Sequence, residues 1–359
     1  MHAIDVAIVG AGPAGCATAL ALRQRGHSCL LVERARDAPA RVGETLPPAA
    51  CRPLAALGVW DSFIASAHLP SVAIRSAWGS SETHEREFIY DPYGNGWHLD
   101  RARFDALLLA QAQAAGAELR CPARLFGAEL GTNGVWTLRV EGDAVHASVV
   151  VDASGRAASF ARRQGAERST HDRLLGVVAR YRPRTRQRAD AGVMLLEASE
   201  HGWWYGAPLP DGELVMSYMT DPDLHARGVR GFESAMAHTE HAARYVQGCA
   251  LADPPRPAPA DSACLRPVCG ARWLAVGDAA ASYDPLSGQG IVKALASGMR
   301  AAQAISARLA GDAAALRDYE AQVVADFERA MALRQAYYAH ETRWPESPFW
   351  RRRHHSERN

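Results

Sequence analysis

The apolar pattern of residues 1–33 predicts a strand, a helix and a second strand. Residues 6–9 are all apolar, as in a parallel strand that is buried on both faces. An Ala- and Leu-rich run over 14–25 predicts a helix that ends at Gly26, and a second apolar strand follows over 28–33. We therefore expect the rest of the chain to be built around a strand–helix–strand unit.

Three glycines lie between the first strand and the helix, in the order Gly10-x-Gly12-x-x-Gly15. Gly10 permits a tight turn, Gly12 lets backbone N–H groups approach a pyrophosphate, and Gly15 lets the helix pack closely on the strand. The phosphates would lie at the positive N-terminus of the helix. Glu33 ends the second strand 18 residues after Gly15, where its carboxylate can accept the hydroxyls of an adenosine ribose. These residues predict a dinucleotide site and leave open which dinucleotide binds.

Between residues 34 and 152 the pattern predicts loops, two helices and a β-meander. Asp100 is the predicted N-cap of the second helix. Asn133-Gly134 lies between two apolar runs, which is the strongest short-range signal for a hairpin. The predicted segments are helices over 49–57 and 99–116 and strands over 118–121, 124–131, 135–140 and 144–152.

The second half of the chain is predicted to be rich in strands first and in helices later. The proline-rich run 253–260 is expected to be an extended connection rather than a domain linker, because a buried strand follows it. The basic tail 351–359 is expected to be a solvated end. The predicted segments are strands over 174–181, 192–197, 203–208, 213–218 and 273–276, and helices over 232–249, 290–309 and 316–340.

Composition limits the classes of protein that the chain can belong to. With 359 residues, 48% of them hydrophobic, it can hold two domains or one large interleaved one. A net charge of +1 gives no general attraction to nucleic acid or to an anionic membrane, and no apolar run has the length of a membrane span. The seven cysteines include no C-x-x-C pair and fit no zinc spacing, so no metal site is expected. The first strand begins within a few residues of Met1, which leaves no room for a signal peptide, and we expect a cytoplasmic protein.

Two further segments show a family resemblance. Residues 149–156, VVVDASGR, resemble the D-[AG]-[ST]-G-x segment, and residues 273–280, WLAVGDAA, resemble the Gly-Asp motif whose aspartate binds the ribityl chain. With the glycine motif, they resemble the single-FAD fold of aromatic-hydroxylase monooxygenases, flavin-dependent halogenases and geranylgeranyl-reductase-like enzymes, over residues 5 to about 310.

The resemblance implies an α/β fold in which a Rossmann-type, glutathione-reductase-like FAD-binding domain is interleaved with a β-sheet substrate domain, followed by C-terminal helices. The implied domains are residues 1–75, 99–173 and 261–310 for FAD, 76–98 and 174–260 for the substrate sheet, and 311–359 for a helical segment with a basic tail.

The resemblance also implies which residues hold FAD. Asp278 would accept a ribityl hydroxyl, and the run 284–290 would present backbone N–H groups at a helix N-terminus, where they stabilise the reduced flavin. Arg41 and Arg101 match arginines that contact FAD in the family. The implied cofactor-binding residues are Gly10, Gly12, Ala14, Gly15, Glu33, Arg34, Arg41, Arg101, Leu125, Asp152, Gly277, Asp278, Pro285, Gly288, Gln289 and Gly290.

Within this superfamily the chain is most similar to the halogenase branch. Residues 201–208, HGWWYGAP, resemble the W-x-W-x-I-P element of halogenases, with Tyr205 in place of the second tryptophan. Halogenases further need a lysine near the substrate, but the chain has no lysine before Lys293, and Ser287 stands where tryptophan halogenases have a catalytic glutamate. Short halogenase-like chains also resemble flavoproteins that oxygenate a tryptophan during maturation of quinone-cofactor amine and amino-acid oxidases, and small natural-product monooxygenases. The sequence leaves those two alternatives open.

These resemblances imply an FAD-dependent monooxygenase that hydroxylates an electron-rich aromatic ring of indole or phenol type through a flavin C4a-hydroperoxide. The ring would be free or carried on a peptide or protein. Alternatives are a halogenase that has replaced its lysine, a geranylgeranyl-type reductase, and a non-catalytic FAD-binding maturation chaperone. The candidate catalytic residues are Glu44, His98, Trp203, Tyr205 and Tyr283.

Such a reaction needs dioxygen and a source of electrons. No second G-x-G-x-x-G unit is visible for a nicotinamide, so either NAD(P)H binds transiently or a partner flavin reductase supplies the electrons. A row of alternating arginines would line one side of an extended strand, where they form a solvated face or dock an acidic substrate protein or carrier. These arginines are Arg180, Arg182, Arg184, Arg186 and Arg188.

Overall fold

Strands and helices alternate through the first part of the chain, and the long helices lie near its end. A computed structural model describes residues 2–36, 42–184, 192–225 and 228–354. The strands are β1 (His2–Val9), β2 (Cys29–Val32), β3 (Thr45–Leu46), β4 (Leu69–Ser71), β5 (Ala73–Ala77), β6 (His84–Glu87), β7 (Gly96–His98), β8 (Glu118–Arg120), β9 (Leu125–Leu130), β10 (Trp136–Val140), β11 (Asp143–Asp152), β12 (Glu167–Thr170), β13 (Leu175–Pro183), β14 (Val193–Ser199), β15 (Gly202–Pro208), β16 (Leu214–Thr220), β17 (Cys249–Pro259), β18 (Ala263–Arg266), β19 (Cys269–Gly270), β20 (Trp273–Ala275) and β21 (Ala281–Ser282). The α-helices are α1 (Pro13–Arg23), α2 (Cys51–Ala56), α3 (Trp60–Ala65), α4 (Arg101–Ala114), α5 (Ser159–Arg163), α6 (Gly228–Ala237), α7 (His241–Tyr245), α8 (Gly290–Leu309), α9 (Ala315–Ala339) and α10 (Pro348–His354).

The first large sheet has the strand order β19-β20-β11-β1-β2-β8, with β10 and β9 extending from β11 as an antiparallel meander. The pairs of β1 with β2 and β11, of β2 with β8 and of β11 with β20 are parallel. Val6, Ala7 and Ile8 are all fully buried, as expected for a central strand whose two faces are both covered. This sheet confirms the predicted Rossmann-type fold.

Helices α1 and α8 cross at backbone contact distance. A Cβ atom on Gly298 would lie 2.7 Å from the Ala14 carbonyl oxygen and 2.8 Å from the Thr18 nitrogen, so only glycine fits there. The crossing fixes the start of α8 against the helix that follows the glycine motif.

The second large sheet, which we call the substrate sheet, has the order β17-β13-β16-β15-β14-β5-β6. Trp204 of β15 stacks on Tyr218 with ring centroids 4.5 Å apart and contacts Phe232 of α6 at 5.0 Å. Trp203 packs on the opposite face with Tyr338 of α9, because neighbouring residues of a strand point to opposite faces of the sheet. The predicted division into domains stays a proposal, and its boundary at residue 75 falls inside β5.

The single helix predicted over 232–249 is wrong. The structure has α6 and α7 there, separated at 238–240, and Cys249 already begins β17. The physical cause is Glu197 of β14, a buried carboxylate that accepts the backbone N–H groups of Glu240, His241 and Ala242 at 2.9, 3.1 and 2.6 Å. Three such bonds start a new helix at this point.

The run 253–260 is extended, as predicted, but nearly all of it belongs to β17, the edge strand of the substrate sheet. Pro257 and Pro259 pair with Val177 and Leu175 of β13. Prolines are tolerated there because an edge strand has one side without a partner.

Residues 351–354 of the predicted solvated tail belong to α10, and the prediction is wrong for Arg353, which is buried, whereas Arg351 and Arg352 are exposed. Arg353 is only 3% exposed, and its Nη2 lies 2.8 Å from Asp221 Oδ1. Residues 355–359 lie outside the described part of the chain. Within the described ranges, no helix combines the length and the apolar character needed to cross a membrane.

Candidate flavin and substrate site

The glycine motif forms a tight cradle at the carboxyl end of β1. Gly10 has φ +107°, and a Cβ atom there would lie 2.4 Å from the Ala153 carbonyl oxygen, while one on Gly15 would lie 2.0 Å from the Gly10 carbonyl oxygen. Gly12 is the N-cap residue of α1 and contributes no side chain. Glu33 reaches the same place from the end of β2, where its Oε2 accepts the Ala11 N–H at 2.9 Å. The cradle therefore brings a helix N-terminus and a carboxylate together, as pyrophosphate and ribose binding require.

The Gly277-Asp278 turn lies against this cradle. Gly277 has φ +57°, and a Cβ atom there would lie 2.7 Å from Cβ of Ala14. The Asp278 side chain is 46% exposed, and its Oδ2 lies 3.7 Å from Nε of Arg156, which belongs to the DASGR segment. The Asp278 carbonyl oxygen accepts from Arg168 Nη1 at 3.2 Å. The turn is thus held by two arginines, while its carboxylate stays accessible to a ligand hydroxyl.

The segment that leads into α8 presents the other candidate contacts. Asp284 caps its turn, because Oδ1 accepts the Leu286 N–H at 2.9 Å. Gly288 takes a left-handed conformation with φ +60°, and α8 then begins at Gly290. The first N–H groups of a 20-residue helix therefore meet an accessible surface. The exposed residues here are Pro285, Gly288, Gln289 and Gly290.

Arg101 lies where a donor to the cofactor is expected. Its Nη2 lies 3.2 Å from Asp105 Oδ1, and its Nη1 donates to the carbonyl oxygens of Val42 and Gly43. Its Nε is buried and has no hydrogen-bond partner among the described residues. A buried donor without a partner is costly, so an acceptor from a ligand fits here. The glycine cradle, Glu33, the α8 N-terminus and this donor together fit an FAD molecule.

The remaining predicted cofactor residues have mixed placements. The Asp152 carboxylate is fully buried and accepts backbone N–H groups of residues 154, 160 and 161, so all its contacts lie within the protein. Leu125 is half-buried at the start of β9, and Arg34 is exposed directly after Glu33. Arg41 lies outside the described residues.

Three of the five candidate catalytic residues come together around Thr45 of β3. The Thr45 hydroxyl lies within hydrogen-bond distance of the Tyr205 hydroxyl and 3.3 Å from His98 Nδ1. His98 Nε2 is 3.3 Å from the Gly192 carbonyl oxygen. Glu44, the next residue along the chain, is buried, and its Oε2 accepts the Gly43 N–H at 2.9 Å. Thr45 connects β15 with β7 and was not predicted from the sequence.

Burial fixes the protonation states in this cluster. It lowers the pKa of His98 from 6.5 to about 4, so the imidazole is neutral at pH 7. It also raises the pKa of Tyr205 well above its usual value, with the nearby Glu44 carboxylate adding to the effect. Burial raises the pKa of Glu44 as well, against the opposing field of Arg101. The cluster therefore offers neutral hydrogen-bonding groups and one carboxyl group that takes up a proton readily.

Trp203 and Tyr283 lie elsewhere. Trp203 is 1% exposed, and its Nε1–H donates to the Tyr338 hydroxyl at 2.8 Å, beneath the C-terminal helices. Tyr283 lines a cavity of about 320 Å³ between α8 and α9. Its ring lies 3.6 Å from the Lys293 ammonium and 5.8 Å from the ring of Phe327.

The arginine row is largely paired within the substrate sheet. Arg182 Nη2 lies 2.7 Å from Glu213 Oε1, and Arg180 Nη1 lies 3.7 Å from both Asp211 and Glu213. Arg186 and Arg188 lie outside the described residues. Within the described part of the chain, no group of three His, Cys, Asp or Glu side chains could hold a metal ion.

Several residues that shape the site had not been singled out as site residues. Arg156 and Arg168 hold the Gly277-Asp278 turn. Both also pair with the Asp261 carboxylate, Arg156 at 2.8 Å and Arg168 at 3.5 Å. The Asp-Pro-Leu order around residue 284 is a local capping signal that could have identified Asp284. No local signal marks Tyr338, because its partners lie far away in the sequence.

Fold and site define a flavoprotein with one FAD-binding domain. The chain belongs to the FAD binding domain family, whose model matches residues 3–332, and it is an FAD-dependent oxidoreductase. It is 30% identical to the putative FAD-dependent oxidoreductase LodB of Marinomonas mediterranea, over 99% of this chain and 98% of LodB.

Solved structures share the fold. The myxobacterial chondrochloren halogenase CndH superposes with a TM-score of 0.89 at 23% identity, covering 98% of this chain and 86% of CndH. The peptidyl tryptophan dihydroxylase QhpG, essential for tryptophylquinone cofactor biogenesis, has a TM-score of 0.77 at 24% identity, covering 98% of this chain and 78% of QhpG. These likenesses confirm the predicted halogenase-like flavoprotein fold.

Proposed function

We propose that the protein is an FAD-dependent monooxygenase that hydroxylates an electron-rich aromatic ring of indole or phenol type, carried on a peptide or protein. When bound, FAD supplies the reducing equivalents and the activation of dioxygen. The observation that carries the proposal is the hydrogen-bond chain from the half-buried Tyr205 through Thr45 to the buried His98, with the buried Glu44 beside it.

The direction of this chain leaves an acceptor free for a substrate. The Gly192 carbonyl oxygen can only accept, so His98 Nε2 carries the proton and Nδ1 accepts from the Thr45 hydroxyl. Thr45 in turn accepts from Tyr205, whose oxygen keeps lone pairs for another donor. An indole N–H or a phenol O–H is a donor of this kind.

The surroundings of Tyr205 suit a flat apolar ring. Tyr205 packs beside Ala207, Leu209 and Val215 of the substrate sheet. A pair formed by the substrate ring and the Tyr205 ring would contribute about 0.5–1.5 kcal/mol beyond plain burial. Glu44 would hold or receive a proton at the ring substituent, because burial raises its pKa and so favours the protonated carboxyl group.

The relatives support a substrate on a larger carrier. QhpG is a peptidyl tryptophan dihydroxylase, and two further relatives are a brominase and a chlorinase of a pyrrole-2-carbonyl group on a peptidyl-carrier protein. Halogenation is disfavoured, because the single lysine, Lys293, contacts Tyr283 on the α9 side and not the Tyr205 cluster. Electrons would come from NAD(P)H or from a partner flavin reductase.

The test supplies the holoprotein with a flavin reductase, NADH, chloride, bromide and isotopically labelled dioxygen. Tryptophan and tyrosine peptides are compared with free indole and phenol, and the products are analysed by mass spectrometry. We expect labelled oxygen in an aromatic product, and a turnover about tenfold lower in Tyr205→Phe with FAD retained.

The matched control is Trp204→Phe, on the opposite face of the same strand, which should keep its turnover. A halogenated product would favour the halogenase alternative. No product from any of these acceptors would count against a monooxygenase.

A further inference from the structure

A buried chain of hydrogen bonds joins the substrate sheet to the segment that leads into α8. Trp203 donates its Nε1–H to the Tyr338 hydroxyl at 2.8 Å, and Tyr338 donates to Asp284 Oδ2 at 2.8 Å. All three side chains are buried. Because an indole N–H can only donate and a carboxylate can only accept, both bonds point from Trp203 toward Asp284. We call these three residues the coupling chain.

Asp284 fixes the turn that carries the exposed flavin-side residues. Its Oδ1 accepts the Leu286 N–H at 2.9 Å, and its own backbone N–H donates to Ser262 Oγ at 3.1 Å. Gly288 and the first residue of α8, Gly290, follow directly. A displacement of the Asp284 carboxylate would therefore move the N-terminal groups of α8.

A positive charge stabilises the receiving end of the chain. Arg334 Nε lies 2.8 Å from Asp284 Oδ2, and its Nη2 lies 3.3 Å from Asp172 Oδ2. Burial and the Asp284 carboxylate raise the pKa of Tyr338, so its hydroxyl keeps its proton and acts as a donor. Hydrogen bonds to a charged group in a buried site are strong and directional, so the chain resists displacement.

We propose that Trp203 and Tyr338 are positioning residues, which hold the N-terminus of α8 in a fixed place relative to the Tyr205 face of β15. Trp203 and Tyr205 lie two residues apart on the same face of this strand. The coupling chain thus links the groups that would contact the flavin to the hydroxyl that would contact the substrate. The effect on FAD needs only the flavin site, whereas the effect on turnover rests on the proposed function.

The test variant is Tyr338→Phe in the full-length protein, which removes one hydroxyl and keeps the ring. We expect the Kd for FAD to rise about fivefold to tenfold, because a buried hydrogen bond to a charged group is lost. The visible spectrum of the bound flavin should shift as well. Product formed per oxygen consumed should fall, because the flavin and the Tyr205 hydroxyl are no longer held in fixed relative positions.

Tyr218→Phe is the matched control. The Tyr218 hydroxyl is also buried in the substrate sheet, but it donates to the His201 carbonyl oxygen at 3.1 Å on the Trp204 face. This variant should lose some thermal stability, because a hydrogen bond to a neutral carbonyl is removed, and keep the wild-type Kd for FAD and the wild-type flavin spectrum.

An unchanged Kd and spectrum in Tyr338→Phe would overturn the proposal. Trp203→Phe interrupts the coupling chain at its other bond and is tested by the same measurements, the Kd for FAD and the flavin spectrum. It tests the proposal in place of Tyr338→Phe if that variant fails to fold. The two changes together should cost less than the sum of each, because they interrupt one chain. Kd and spectrum are measured without turnover, so a failure to find any oxygenated product would count against the proposed function alone.

Discussion

His98 shows how burial can assign a chemical state to one side chain. Its imidazole is fully buried between Thr45 and the Gly192 carbonyl oxygen, and burial lowers its pKa to about 4. The neutral ring can accept at Nδ1 while donating at Nε2, which the protonated ring cannot do. Protonation by acid therefore reverses the hydrogen bond to Thr45, because Nδ1–H then donates to the Thr45 hydroxyl oxygen.

The pH dependence of stability should reveal this state. Below pH 6.5 the unfolded chain binds a proton at His98, whereas the folded protein binds it only near pH 4. The free energy of unfolding should thus fall with decreasing pH across this interval, by about 1.4 kcal/mol per pH unit for this residue. Urea unfolding of His98→Gln between pH 7 and pH 4.5 should show a shallower fall than wild type. A slope equal to the wild-type slope would contradict the assignment.

Asp278 allows a direct test of the cofactor site. Replacing it by Ala should weaken FAD binding by roughly 1.5–3 kcal/mol, about tenfold to a hundredfold in Kd, if a charge-assisted bond to a ribityl hydroxyl is lost. Isothermal titration of the apoprotein with FAD measures this change. Asp278→Asn keeps an acceptor and should retain part of the affinity, and an Ala variant with wild-type affinity would remove Asp278 from the site.

The candidate residues could be predicted in part because they lie in motifs that are read locally. Glu44 and His98 are near each other only through the pairing of β3 with β7. Tyr205 lies 160 positions after Thr45 in the sequence, and only the fold brings their hydroxyl groups together. The alternation of side chains along β15 separates Trp204 from Trp203 and Tyr205. It could not show that the C-terminal helices cover Trp203, since that contact is made 135 residues later.

Elements were predicted well where their boundaries have local causes. Asp100 caps α4 by accepting the Arg103 N–H at 3.0 Å, and α8 has the predicted bounds. The break between α6 and α7 was missed because its cause, Glu197, lies more than 40 residues earlier. A helix that is started by a distant carboxylate leaves no mark in its own sequence.

The crossing of α1 and α8 makes a prediction at this scale. Gly298→Ala should reduce the free energy of unfolding by about 1–3 kcal/mol, because the added methyl group meets the backbone of Ala14 and Thr18. Helix propensity alone predicts the opposite sign, by up to about 1 kcal/mol. Gly290→Ala is the control, because nothing lies within 4 Å of a Cβ atom there. Chemical denaturation of both apoproteins measures the effect, and a stabilised Gly298→Ala would show that the helices can separate freely.

At the scale of the whole molecule, α9 contacts both large sheets and α10 contacts the substrate sheet. Tyr319 of α9 donates to the Ala275 carbonyl oxygen at 2.9 Å, beside the flavin turn, whereas Tyr338 at the other end of the helix reaches Trp203. Trp350 of α10 donates to the Ser199 carbonyl oxygen at 3.0 Å. The C-terminal helices are therefore expected to unfold together with the sheets.

Asp221→Ala tests this attachment. It leaves Arg353 buried without its carboxylate and should reduce the free energy of unfolding by about 3–5 kcal/mol. Asp223→Ala removes a half-exposed partner of Arg352 and should cost less than about 1 kcal/mol. The double variant Asp221→Asn, Arg353→Met should recover most of the loss. Equal effects of the two alanine variants in thermal unfolding would mean that α10 is held by its apolar residues alone.

The proline-rich strand β17 decides how another polypeptide can approach. Pro257 and Pro259 lack an N–H group, so the outer edge of β17 has few donors with which to pair a further strand. The opposite edge, β6, consists of the exposed charged or titratable residues His84, Glu85, Arg86 and Glu87. A protein carrier of the proposed substrate is thus not expected to add a strand along the proline-rich part of β17, and we expect it to present the ring on a loop or a chain end.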